Sequence, residues 1–141
     1  MRYGATATAT AYQQPRRPQP APTPSGVTEV VLSGESPAQL QLILPMLAHM
    51  SHLDDYRWIT WIGDHRLDRR QLDAYGVDSR KLRLVYPPRA EDVLWITWDA
   101  LAAGNSHTVI ASPGKISEAH FRRLDEAAER GDARGIMLRL R

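Results

Sequence analysis

Dense apolar runs alternate along this chain with longer stretches in which apolar residues recur every three or four positions. The first spacing suits strands buried on both faces, and the second suits amphipathic helices. Thr28-Glu29-Val30-Val31-Leu32, closed by Ser33-Gly34, predicts the first strand. Ser36 then offers an N-cap, Pro37 fits the first helical turn, and Leu40, Ile43, Leu44, Leu47 and Met50 share one helical face, with Pro45 expected to kink that helix. Arg57 to Ile62 predicts a buried second strand ending at Gly63, and Asp68 caps a short helix ended by Gly76. Lys81 to Val85 predicts a third strand, stopped by Pro87-Pro88. A helix from about Ala90 to Ala103 follows, with Val93, Leu94, Trp98, Leu101 and Ala102 on one side and Gly104 after its end. Val109-Ile110 marks a fourth strand within 106–112, and Ser117 caps a helix carrying Phe121, Leu124, Ala127 and Ala128 that Gly131 is expected to end. Gly135 to Leu138 predicts the last strand. Strand alternating with helix throughout argues an α/β fold: a mainly parallel sheet flanked by helices on both faces, joined by right-handed crossovers.

The first 26 residues break this pattern. An Ala-Thr repeat gives way to a Pro-Gln-Arg stretch, and five of the ten prolines lie before Ser25. Such a composition buries too little apolar surface to offset its conformational entropy, so 1–26 is expected to be a disordered arm and 27–141 a single domain. Eighteen basic against sixteen acidic side chains leave a net charge of +2, too balanced to make nucleic acid the expected partner, although sixteen of the eighteen are arginine. The absence of cysteine excludes disulfides, a thiol nucleophile and thiolate zinc sites. With no apolar run long enough to cross a bilayer, the expectation is a cytoplasmic protein without a membrane partner.

Candidate chemistry is sparse. In parallel sheets ligands gather at the carboxyl ends of strands, which makes the turn Ser33 to Leu40 the first place to test. A phosphate loop needs spaced glycines, then Lys and Ser or Thr, and none falls in place there. Glu35 would repel phosphate, and Pro37 removes an amide donor. The five histidines show no metal-ligand spacing. Asp54-Asp55, Asp64-His65 and Ser106-His107 are generic pairings that more simply shape turns. No enzyme activity and no cofactor are therefore expected. More informative is the middle of the chain, where Arg57, Arg66, Arg69, Arg70, Arg80, Lys81 and Arg83 face Asp64, Asp68, Asp73 and Asp78, beside Trp58, Trp61, Ile62 and Leu67. Mixed aromatic, aliphatic and arginine surface is typical of interface centres, and the alternative is two core tryptophans with a solvated charged face.

Four segments taken in order, Glu29-Val30-Val31, Gln41 to Leu47, Arg57-Trp58-Ile59-Thr60-Trp61-Ile62 and Gly135-Ile136-Met137-Leu138-Arg139, resemble the SulA family of bacterial cell-division inhibitors. Leu67, Ala74-Tyr75-Gly76-Val77, Lys81, Gly104-Asn105 and Ala127 to Gly131 keep the family's spacing between them. The resemblance implies a RecA-like α/β core without ATP binding, made in the SOS response to DNA damage to block septation. It implies FtsZ as partner, bound on its polymerisation face so that assembly and GTP turnover both fail, and a homodimer.

Arg57, Ile62 and Lys81 carry over as positions important for inhibition, while Trp58 matches and is expected to be packing. Gln71 stands where family members have an aromatic residue, a contact that Leu72 or Tyr75 would have to replace. The Lon protease is implied as a further partner through a carboxyl tail, which this chain, stopping at Arg141, leaves open. The expected partner-binding set is thus Arg57, Ile62, Arg66, Leu67, Arg69, Arg70, Leu72 and Lys81, with Ile62 and Leu67 as its desolvated centre. Two other readings are an accessory protein of DNA-damage mutagenesis that contacts RecA or a polymerase, and a basic nucleic-acid binder.

Overall fold

The computed structural model describes residues 25–32, 41–63 and 67–140. The expected arm, the turn after the first strand with its predicted cap at Ser36, Asp64-His65 and Arg66 lie outside the described residues. Among the described residues, five strands and four α-helices follow in the order β1 (Gly26–Leu32), α1 (Leu44–Ser51), β2 (Trp58–Ile62), α2 (Arg69–Ala74), β3 (Leu82–Val85), α3 (Val93–Ala102), β4 (Ser106–Ala111), α4 (Glu118–Gly131) and β5 (Arg134–Leu140). Short 3-10 turns precede β3 at Ser79–Lys81 and α3 at Ala90–Asp92.

The strands form one parallel sheet in the order β1-β5-β4-β2-β3. From β1 to β3 the chain travels in one direction across the sheet, and from β3 to β5 it travels back. Crossovers of a single hand then place helices on opposite faces. The two apolar clusters agree with that assignment. Ile43, Leu44, Leu47 and Met50 of α1 and Leu72 of α2 pack with Ile59, Trp61, Ile110, Ile136 and Leu138 on one face. Val93 and Leu101 of α3 with Leu124, Ala127 and Ala128 of α4 pack over Ile62, Val109, Ala111 and Met137 on the other. Residues of β2 alternate between the two clusters, so this interior strand is apolar almost throughout.

Two helix ends correct the sequence reading. Pro45 does not kink α1 but opens it, in the first turn where its missing N–H has no intrahelical partner to lose. Gly131 does not terminate α4 by adopting a left-handed backbone; Asp132 does so, with φ 50° and its N–H bonded to the carbonyls of Ala128 and Glu129. Gly131 is instead required by close approach, because a Cβ there would lie 1.8 Å from the carbonyl oxygen of Leu101 at the end of α3. The expected caps at Asp68 and Ser117 are present, each accepting a backbone N–H, from Arg70 at 2.9 Å and from His120 at 3.1 Å.

Candidate functional site

Parallel strands bring all their amino ends to one rim of the sheet. Asp55 and Arg57 stand at the entrance of β2 on this rim, and the Arg57 guanidinium donates to Asp55 through Nε at 3.1 Å and Nη2 at 2.8 Å. Its Nη1 reaches the carbonyls of Asp132 at 3.0 Å and Gly131 at 3.4 Å. Arg57 therefore ties β2 to the turn between α4 and β5, and only 17% of its side chain is exposed. The same hydrogen bond holds the Asp55 carboxyl down at about 2, well below its ordinary value.

Next along the rim, Arg83 of β3 bridges three strand ends. Its Nε donates to Thr60 Oγ1 at 3.2 Å, and its Nη2 to Ser106 Oγ at 3.1 Å and Asn105 Oδ1 at 3.2 Å. Thr60 and Ser106 share a further 2.6 Å bond. Ser106 is thus committed to this network and not to His107, whose Nδ1 bonds Thr108 Oγ1 at 2.9 Å. Burial keeps the His107 imidazole below its ordinary pKa, which favours the neutral ring. Among the described residues no group of His, Asp and Glu is gathered to hold a metal ion.

Around this ordered network the surface is aromatic. Tyr56 is 98% exposed and Trp58 41% exposed, on the residues that flank Arg57. Trp58 was expected to be packing; the structure corrects this, leaving it 41% exposed at the start of β2, where the ladder with β4 shifts register between Trp58 and Ile59. Trp61 is the core tryptophan, 1% exposed. Lys81, half-buried in the 3-10 turn before β3, lies at the same rim, since Leu82 pairs with Ile59.

The other expected contact residues fall elsewhere. Ile62 and Leu72 are 1% and 3% exposed, one in each apolar cluster, so neither presents a surface to a partner. Leu67 is partly buried against the first cluster. Arg69 and Arg70 are exposed on the first turn of α2, which begins near the carboxyl end of β2. The structure therefore places Arg57 and Lys81 on one rim and leaves Arg69 and Arg70 about a strand length away, ~15 Å for five residues. Tyr75, after the last turn of α2, is 42% exposed, and Leu84 on the edge strand is 40% exposed. Sequence reasoning missed Tyr56 and the fixing of Arg83. The signal for Tyr56 was a lone aromatic between Asp55 and Arg57 outside any apolar period; nothing local marks the three acceptors of Arg83.

The model of the family described as cell division inhibitor SulA matches residues 25–135. SulA of Pseudomonas aeruginosa is 30% identical over 118 residues, covering 83% of this chain and 73% of that protein. The Yersinia enterocolitica SulA is 33% identical over 124 residues, covering 84% of this chain and 71% of its own. The crystal structure of the Pseudomonas aeruginosa SulA superposes with a TM-score of 0.75 at 30% identity, over 84% of this chain and the whole of that one. A matching family model over most of the chain, relatives of similar length and a shared parallel sheet agree: this chain belongs to the SulA family of cell-division inhibitors.

Proposed function

We propose that the protein blocks division by binding FtsZ through the amino rim of its sheet, capping the face by which FtsZ subunits polymerise, in the cytoplasm during the response to DNA damage. Binding alone stops assembly and the GTP turnover that depends on it; no bond is made or broken by the inhibitor. The observation that supports this reading best is the exposure of Tyr56 and Trp58 beside Arg57, Lys81 and the immobilised Arg83. Aromatic anchors next to preordered arginine give large contact area at low entropic cost, as interface centres require. Arg69, Arg70 and Arg66 are assigned to the encounter with an acidic partner surface, an effect that salt weakens.

FtsZ sedimentation and GTPase rate, measured against increasing inhibitor, test the reading. Wild type is expected to inhibit at roughly one inhibitor per FtsZ, and Trp58→Ala with Lys81→Ala to abolish inhibition while melting at the wild-type temperature. Arg57→Ala is the less direct probe, since it also unties β2 from α4. Full inhibition by the Trp58 and Lys81 double variant would show that the rim is not the contact. No effect of the wild-type protein on FtsZ would leave the family likeness as one of fold and general role.

A further inference from the structure

A guanidinium removed from bulk water ordinarily meets a carboxylate, and the arginines of the amino rim differ in this respect. Arg57 has Asp55 at 2.8 Å, and Arg80 has Asp78 at 3.0 Å. Arg83 has no such counter-ion. Its Nε and Nη2 donate only to neutral oxygens, on Thr60, Ser106 and Asn105, and among the described residues no Asp or Glu lies within ion-pair distance of it. Its Nη1, with two N–H groups, makes no hydrogen bond among the described residues. Lys81, two residues earlier, has no ion pair there either. The entrance of β3 therefore keeps two unpaired positive charges.

The register brings Arg83 to the level of Trp58. Arg83 pairs with Thr60 in the ladder between β2 and β3, and Trp58 pairs with Ser106 in the ladder between β2 and β4. Trp58 and Thr60, two positions apart on one strand, project from the same face of the sheet. The guanidinium reaches past buried Thr60 to Ser106, and so arrives at the strand position of Trp58, which is 41% exposed. Its bond to Asn105 lies at the exposed end. Arg57, by contrast, is turned towards Gly131 and Asp132 on the β5 side, with all three of its nitrogens engaged.

We propose that Arg83 is the specificity-determining residue of the rim: its free Nη1 takes a carboxylate, an Asp or Glu side chain of the partner, while Trp58 covers the apolar neighbours of that side chain. This rests on the reading of the amino rim as the contact surface and names the chemistry it selects. Three hydrogen bonds already fix the guanidinium, so it loses little freedom when the partner arrives. A carboxylate gains a charge-assisted bond without displacing an internal counter-ion. A carboxamide in its place would gain less, and a cation would be repelled. For Arg57 to make the same contact it would have to leave Asp55 and two carbonyls, so its part is to hold the shape of the rim.

One test is independent of FtsZ. A capped peptide of alternating Leu and Asp is titrated into the full chain while the Nε–H signals of Arg83 and Arg57 and the indole N–H signal of Trp58 are followed by NMR. Movement of the Arg83 and Trp58 signals, with the Arg57 signal still, is the expected result, and the same peptide with Asn for Asp is expected to move none of them. Movement at Arg57 in place of Arg83, equal movement with the Asn peptide, or no movement would overturn the proposal. Arg83→Gln also unties three strand ends, so Asn105→Asp is the companion variant: it sets a carboxylate where the amide oxygen now lies 3.2 Å from Nη2 and neutralises Arg83 from within the chain. Asn105→Asp is expected to melt at or above the wild-type temperature and to bind both the acidic peptide and FtsZ about 10- to 100-fold more weakly. Wild-type affinity of Asn105→Asp for FtsZ would overturn Arg83 as the contact while leaving the FtsZ reading in place. Peptide binding at Arg83 without any binding of FtsZ by the wild-type protein would uphold the carboxylate receptor and overturn the FtsZ reading.

Discussion

Asp55 and Arg57 are two residues apart, yet their pairing reaches across the molecule, because the guanidinium that lowers the Asp55 carboxyl also satisfies the carbonyls of Gly131 and Asp132. A carboxyl held at about 2 in the folded state, against 3.8 ordinarily, adds stability above about pH 4 that is lost as pH falls towards 2. The amount is about 1–2 kcal/mol after allowing for solvent near a partly exposed pair. Urea unfolding of wild type and Asp55→Asn at neutral pH should differ by that amount, and the difference should shrink as pH falls from 4 and disappear below about 2. At Gly131 the constraint is steric. Gly131→Ala places a methyl against the Leu101 carbonyl, so α4 must retreat from α3, with an expected loss of about 1–3 kcal/mol in denaturant unfolding.

At the scale of elements, β2 carries both a core tryptophan, Trp61, and one residue of the proposed contact surface, Trp58, within five residues. Trp61→Ala should cost about 3–5 kcal/mol, as expected for a fully buried aromatic, whereas Trp58→Ala should change stability by less than about 1 kcal/mol. Thermal unfolding of the two variants separates the roles directly. Their different fates were only partly legible. The aromatic and β-branched run identified the strand, and alternation implied that neighbouring residues serve opposite faces, but which residue escapes cover depends on where the β4 ladder slips, which no local signal shows. Pro45 was misjudged for a related reason: the apolar period continues back through Leu40, while a helix starts where its N–H groups can be spared. Gly131 looked like punctuation because it follows a polar turn; only the approach of α3 reveals its packing role. Caps at Asp68 and Ser117 were readable because they depend on residues within one turn. Ile62 and Leu72 looked like surface candidates beside the arginines, and their burial follows from a strand covered on both sides.

For the whole molecule, the sheet is shared by two apolar clusters that never meet except through it. Leu47, 0% exposed, belongs to one, and Leu124, 1% exposed, to the other. Leu47→Ala and Leu124→Ala should each cost about 2–5 kcal/mol, and in both variants tryptophan fluorescence and backbone circular dichroism should report one coincident transition. Separate transitions would mean that the two faces unfold independently. Order along the chain adds a consequence for its synthesis. The final strand described, β5, lies between β1 and β4 and pairs with both. Until the ribosome has released it, β1 has no neighbour and β4 has an open edge. A chain cut short before Arg134 is therefore expected to lack a closed sheet, so whatever depends on the folded molecule arrives only with the finished one.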